Sequence, residues 1–179
     1  MRNPRGKRTA GGSSKTHHAS RPPQLRRVLI ADDNLAEREM YASYFAAHGI
    51  RVFMAGDGVN AVHIAQEMRP DVIVMDLSLP SLNGWEATRR LKHDVRTARI
   101  PILACTGHAT HLAVDWALDA GCDAYVVKPC LPQELLRLSA GLVARQTSRQ
   151  RAAMASVLCN DCGAIGDDPT FIVSVRTSA

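Results

Sequence analysis

The sequence has no long apolar run, few aromatic residues and no acidic residue among its first 27 positions. No apolar stretch approaches the ~18–20 residues of a membrane span, and the N-terminus lacks the apolar segment of a secretory signal. We therefore expect a cytoplasmic protein without a transmembrane segment. Aromatic residues make up 4% of the chain and do not alternate with basic ones, so nothing supports base stacking with RNA or single-stranded DNA.

Cysteine is also sparse, and its five residues are an odd number. Reduced thiols are expected, because three of the five lie within or beside predicted strands and helices of a chain expected in the cytoplasm. Cys159 and Cys162 have the spacing of half a zinc site, but no second Cys or His pair follows them. We therefore interpret them as incidental thiols in a polar tail.

The positive charge is unevenly distributed along the chain. Residues 1–27 carry eight Lys or Arg and no acid, whereas residues 28–145 carry eleven basic and fourteen acidic residues. Residues 1–24 have almost no large apolar side chains, which predicts a disordered basic arm. Such an arm could bind nucleic acid or anionic lipid, or it could be a solvated or targeting tail.

Residues 25–145 are predicted to form one domain, and residues 146–179 a largely irregular tail. Because a domain usually needs ~50 residues, this tail is too short for a separate effector, so we expect no DNA-binding domain in the chain.

Four short apolar runs each stop at a polar residue. They are residues 28–31 before Asp32 and Asp33, 72–75 before Asp76, 102–105 before Thr106, and 124–127 before Lys128. Runs this short and β-branched, without polar alternation, are typical of strands buried on both faces of a parallel sheet. With a further strand at 51–55, the pattern predicts five strands.

Helix signals separate these strands. Asn34 followed by Glu37 indicates a helix start and Gly49 its end, and later helices are predicted over about 59–68, from Gly84, over about 108–120 and from Pro132. Strands that alternate with helices predict an α/β fold with a parallel sheet.

The polar residues at the strand ends predict a reactive site. Ligands bind beyond the carboxyl ends of strands in open α/β sheets, so three carboxylates, a hydroxyl and an ammonium would share one edge. Crowded carboxylates repel one another unless a cation intervenes, and hard oxygen ligands suit Mg²⁺. Asp76 is the best candidate nucleophile toward phosphorus because its strand is expected to be central, with Lys128 and Thr106 offsetting charge on the phosphoryl oxygens.

These residues, together with the segment from Leu79 to Glu86, resemble the receiver domain of bacterial response regulators. The resemblance covers about residues 25–145 and implies a doubly wound five-stranded sheet of order 2-1-3-4-5, the order that chemotaxis receivers have. It implies a stand-alone receiver that is phosphorylated on Asp76 by a sensor histidine kinase or histidine phosphotransfer protein. The signal would pass to a downstream effector protein, and dimerisation on phosphorylation is possible.

The resemblance also implies roles for individual residues. Asp33, Asp76 and the backbone carbonyl of Ser78 would bind Mg²⁺ directly, and Asp32 would bind it through a water molecule. Thr106 and Tyr125 would form a switch pair, and Lys128, followed by a cis proline, would contact the phosphoryl group. Ser78 and His108 lie where the family varies residues that tune phosphoaspartate hydrolysis.

Other interpretations stay open at this stage. Asp32 and Asp33 could form a helix N-terminal cap region, Thr106 could cap the following helix, and Tyr125 could fill the core. The chain could also be a receiver-like scaffold that acts through protein binding or its basic arm without phosphate. An aspartate-nucleophile phosphatase is a weaker alternative, because such enzymes typically keep an acid where this chain has Ser78. We expect no enzyme activity beyond self-phosphorylation and self-dephosphorylation.

Overall fold

A computed structural model describes residues 24–107 and 119–158, with side chains as far as residue 150. Within these residues the strands are β1 Arg27–Ala31, β2 Arg51–Ala55, β3 Val72–Asp76, β4 Ile102–Thr106 and β5 Ala124–Val127. The helices are α1 Leu35–Ala47, α2 Gly58–Met68, α3 Gly84–His93 and a C-terminal helix, Pro132–Leu158. The strands pair in parallel in the order β2-β1-β3-β4-β5, which confirms the predicted doubly wound α/β fold.

Alternate side chains of each strand enter separate cores on the two faces of the sheet, because successive residues of a strand point in opposite directions. Val28 and Ile30 of β1 pack on one face with Tyr41 and Phe45 of α1. On the other face, the core includes these residues of β1, α2 and α3: Leu29, Ala31, Ala61, Ala65 and Leu91. Both faces of the central strands are therefore buried, as their unbroken apolar sequence predicts.

Polar side chains start the first three helices at or near the carboxyl edge of the sheet. The Asn34 carboxamide accepts hydrogen bonds from the backbone N–H groups of Ala36 and Glu37. Asp57 caps α2 in the same way, and Asn83 caps α3 by accepting from Glu86 N at 2.9 Å. These caps satisfy backbone donors that the first turn leaves unpaired, and so they determine where each helix begins.

The C-terminal helix is longer than the sequence analysis predicts. It continues from Pro132 to Leu158, so the expectation that the tail is irregular from residue 146 is wrong for residues 146–158. This segment contains neither Gly nor Pro and is rich in Ala, Arg and Gln, which favour helix. In its first part, the hydroxyl groups of Thr147 and Ser148 donate to carbonyls one turn earlier.

Several predictions concern residues outside the described ranges. They are the basic arm up to residue 23, most of the predicted helix over about 108–120 with His108, and Cys159 and Cys162. The domain boundaries at residues 25 and 145 stay predictions. Among the helices that the structure describes, none has the length and apolarity to cross a membrane.

Candidate functional site

The carboxyl ends of four strands bring the predicted site residues to one edge of the sheet. Asp32 directly follows β1, Asp76 ends β3, Thr106 ends β4, and Lys128 directly follows β5. Asp32, Asp76 and Thr106 are buried, with at most 6% of each residue exposed. The strand order places β3 between β1 and β4, so Asp76 lies at the centre of this edge.

The Lys128 ammonium group binds three carboxylates at this edge. Its Nζ lies 2.7 Å from Oδ2 of Asp32, 2.7 Å from Oδ2 of Asp76 and 2.9 Å from Oε2 of Glu37. Burial by itself would lower the pKa of Lys128, but the hydrogen bonds to the three carboxylates outweigh burial and raise that pKa above its ordinary value. Lys128 is therefore a permanent cation in this site.

Hydrogen bonds from α1 and to β4 hold the backbone around Lys128 in place. The Lys128–Pro129 peptide bond is cis, and the Tyr41 hydroxyl of α1 donates to the carbonyl of Cys130 at 3.0 Å. The Lys128 backbone N–H donates to the Thr106 carbonyl at 2.8 Å, which extends the β4–β5 ladder to the site. These contacts join the segment that carries Lys128 to both α1 and β4.

Asp32 is held through both of its carboxylate oxygens and through its backbone carbonyl. Its Oδ1 accepts from the Asn34 backbone N–H at 2.9 Å, its Oδ2 accepts from Lys128, and its backbone carbonyl accepts from Arg38. Burial raises the pKa of Asp32, and the Lys128 contact offsets this only in part. The surroundings of Asp32 therefore stabilise its ionised form less than water stabilises an exposed carboxylate.

Three carboxylates converge closely enough to hold one metal ion. One oxygen from each of Asp32, Asp33 and Asp76 lies within 4.8 Å of the others. Asp33 is exposed while the other two are buried, so the cluster opens to solvent on the Asp33 side. Because the donor set is made of hard oxygen atoms, it suits Mg²⁺ and not a soft metal.

The loop after β3 packs closely against Asp76. Oδ1 of Asp76 accepts from the Ser78 backbone N–H at 2.8 Å, and the Gly84 N–H donates to the Leu77 carbonyl at 3.1 Å. A Cβ atom at Gly84 would overlap the backbone carbonyl of Asp76, so only glycine fits at the start of α3. Ser78 is exposed beside this edge.

Thr106 and Tyr125 lie on neighbouring strands on one face of the sheet. Tyr125 pairs with Ala104, two residues before Thr106, and alternate residues of a strand share a face. The Tyr125 side chain is half-buried and packs against the core on the α2 and α3 side. The structure thus brings the other described site residues to one edge of the sheet, with Tyr125 on the neighbouring strand, and His108 lies outside the described residues.

Two residues of the site were not predicted as functional. Glu37 contacts Lys128, and Arg38 contacts the Asp32 backbone. From the sequence, Glu37 is predicted only to mark the start of a helix. A stronger signal was available, because the first turn of a helix that starts directly after Asp33 must lie beside the same edge of the sheet.

Comparisons with known proteins agree with this geometry. The family model described as "Response regulator receiver domain" matches residues 28–139. The protein PilH of Pseudomonas aeruginosa is 34% identical over 113 residues, which are 63% of this chain and 93% of PilH. The DNA-binding response regulator MtrA of Mycobacterium tuberculosis is 33% identical over 132 residues, or 73% of this chain, but the match spans only 56% of MtrA.

Solved structures show the same architecture. The chemotaxis response regulator CheY4 of Vibrio cholerae has a TM-score of 0.62 and 28% identity, with 66% of this chain and 98% of that chain covered. The receiver domain of the sensor histidine kinase PA1611 from Pseudomonas aeruginosa has a TM-score of 0.62 and 32% identity, with the same coverage. That receiver domain was solved with a magnesium ion coordinated in its active-site cleft.

Proposed function

Because this chain belongs to the response regulator receiver family of two-component signalling, we propose that Asp76 accepts a phosphoryl group from a sensor histidine kinase or a histidine phosphotransfer protein. The observation that supports this most is the convergence of Asp32, Asp33 and Asp76 with the Lys128 ammonium at the centre of the carboxyl edge. Isolated helix caps or core residues would not need three carboxylates and a largely buried cation in one place.

In the proposed reaction a carboxylate oxygen of Asp76 attacks the phosphorus atom of the donor. The new O–P bond forms as the bond between phosphorus and the donor's imidazole nitrogen breaks, and the leaving imidazole keeps the electron pair. Lys128 and the Thr106 hydroxyl offset negative charge on the phosphoryl oxygens.

Asp33, Asp76 and the Ser78 carbonyl would hold Mg²⁺ directly, with Asp32 acting through a water molecule. When bound, Mg²⁺ supplies positive charge that orients the phosphoryl oxygens and stabilises charge in the transition state. The chain's own part is to hold the carboxylates: Asn34 N–H fixes Asp32, and Ser78 N–H fixes Asp76.

The proposed output is a population shift of the surface formed by the segment from 108 to 120, β5 and the C-terminal helix. Thr106 and Tyr125 would act as the switch pair, and Ser78 and His108 would tune hydrolysis of the phosphoaspartate. A downstream effector protein would bind the altered surface, and dimerisation is a further possible response. Receiver domains are signalling modules, so we expect no turnover of phosphomonoesters.

Mass spectrometry of the intact protein after incubation with Mg²⁺ and acetyl phosphate tests the proposal. The wild type should gain one phosphoryl group, and Asp76→Asn should gain none. Asp119→Asn is the matched control, because Asp119 is exposed and lies outside the site, and it should label as the wild type does. Equal labelling of wild type and Asp76→Asn would refute the assignment. If cells with Asp76→Asn kept the wild-type phenotype, the phosphate-independent scaffold would be favoured.

A further inference from the structure

Lys128 has a third carboxylate partner that the proposed reaction does not use. Glu37 lies in the first turn of α1, and its Oε2 is 2.9 Å from the Lys128 Nζ. The other two partners, Asp32 and Asp76, lie 2.7 Å from the same nitrogen. One ammonium group therefore bridges Asp76 to a fourth acidic side chain at the edge of the sheet.

Each of the two oxygens of the Glu37 carboxylate has its own partner. Its Oε1 accepts from the Asn34 Nδ2 group at 3.2 Å, and its Oε2 contacts Lys128. Asn34 is itself held in place, because its Oδ1 accepts from the first N–H groups of α1. The Glu37 side chain is only 36% exposed, so its charge is partly shielded from water.

We propose that Glu37 is a restraining residue that lowers the affinity of this site for the phosphoryl group and raises its affinity for the cation. The inference rests on the proposed function of Asp76. Glu37 acts as a positioning residue through Lys128, because it holds the ammonium group that would otherwise be available to a phosphoryl oxygen. Its carboxylate and that of Asp76 share one ammonium, so an anion arriving at Asp76 meets the Glu37 charge at short range.

The negative charge of Glu37 should affect the binding of a cation and of an anion in opposite directions. Removing one negative charge from beside the site should weaken the binding of a cation and strengthen the binding of an anion. A general loosening of the site would weaken both. The two ligands therefore separate a charge effect from a structural one.

Glu37→Gln is the test variant, because glutamine keeps the size of the side chain and an oxygen that can accept from Asn34. Glu39→Gln is the matched control: Glu39 lies on the same helix, is exposed, and gives the same change in net charge. Among the described contacts, Lys128 has an ion pair with Glu37 and none with Glu39.

The experiment measures two affinities of the full chain by calorimetry: Mg²⁺ alone, and beryllofluoride at saturating Mg²⁺ as a mimic of the phosphoryl group. For Glu37→Gln we expect Mg²⁺ to bind about two- to threefold more weakly and beryllofluoride about three- to tenfold more tightly, as expected for a nearby, partly screened unit charge. Glu39→Gln should stay within about twofold of the wild type for both ligands.

Two results would overturn the inference while leaving the proposed function intact: equal affinities in Glu37→Gln and Glu39→Gln, or a weakening of both ligands in Glu37→Gln. If the wild type binds Mg²⁺ but no beryllofluoride, the proposed function of Asp76 fails and the inference fails with it. Thermal unfolding of each variant without ligand checks that the fold is retained.

Discussion

The two edges of the sheet both join basic and acidic side chains, but they do so at different depths. At the carboxyl edge the side chains of Lys128, Asp32 and Asp76 are 15%, 4% and 7% exposed. At the amino edge, Arg27 and Asp71 form an ion pair of 3.3 Å with side chains that are 43% and 24% exposed. Asp71 also accepts from the backbone N–H groups of residues 26 and 27.

This difference in burial matters because charges that are shielded from water interact more strongly than exposed ones. Exposed pairs contribute little to stability, whereas burial strengthens both the attraction between Lys128 and its carboxylates and the repulsion among the carboxylates themselves. At the amino edge, the Asp71 carboxylate accepts hydrogen bonds from backbone N–H groups at the start of β1. The carboxyl edge has more acid than base, which suits a cation and a reacting anion.

The largest expected effect is on phosphorylation, and it should be confined to the carboxyl edge. Lys128→Met should slow labelling by acetyl phosphate by about 100-fold, because the cation that offsets phosphoryl charge is lost. Arg27→Met removes one positive charge from the opposite edge and should change the rate by less than about twofold. Initial rates from intact-mass spectrometry check both, and similar rates in the two variants would end the distinction between the edges.

The next effect concerns packing beside Asp76. Gly84→Ala should lower the free energy of unfolding by about 2–3 kcal/mol, because a methyl group would overlap the Asp76 carbonyl. Gly141→Ala is the control: its Cβ would meet open space within the C-terminal helix, so it should stabilise by about 0.5–1 kcal/mol. Urea unfolding followed by circular dichroism measures both. A neutral Gly84→Ala would show that the loop after β3 can move away from Asp76.

Carboxylates at the two edges should contribute to stability with opposite signs when Mg²⁺ is absent. The pKa of Asp32 is raised in the folded state, so its contribution to stability is greatest below its unfolded pKa and is lost as pH rises through the folded value. At pH 7, Asp32→Asn should therefore raise the free energy of unfolding, and this gain should shrink toward pH 4. Asp71→Ala should destabilise by about 1–2 kcal/mol, because two backbone donors lose their acceptor.

Urea titrations at both pH values, with EDTA present, measure these changes. Adding Mg²⁺ should then stabilise the wild type more than Asp32→Asn, since a ligand that binds only the folded state raises its stability. Destabilisation by Asp32→Asn in EDTA would mean that its hydrogen bonds outweigh the cost of its burial.

The smallest effect is that of the exposed ion pair at the amino edge. Arg27→Met should lower stability by less than about 1 kcal/mol, and 1 M NaCl should reduce the difference further, because exposed charges are screened. Parallel urea titrations at low and high salt test this. A loss that is large and independent of salt would show that the amino edge, too, depends on a buried charge.

Much of the fold could be predicted from local patterns. The positions of four strands follow from unbroken apolar runs, α1 begins directly after its predicted cap Asn34, and α3 begins at the predicted Gly84. The end of the C-terminal helix could not be found by counting residues in a domain, because the segment after residue 145 has no helix-breaking residue. The spacing of Asn34 and Glu37 predicts a helix start but not the contact of Glu37 with a lysine far along the chain.

The order of residue types along this chain was enough to determine the parallel sheet and the polar residue at the end of each strand, since apolar periodicity and strand polarity are local properties. Only the tertiary structure decided how the charges share partners. Lys128 meets Asp32, Glu37 and Asp76 because three separate elements end at one edge, and their burial there makes each charge depend on the others. The sequence patterns indicate which strands are buried and which residues lie at this edge, but the distances between side chains depend on the whole fold, so the patterns do not specify which charges pair there.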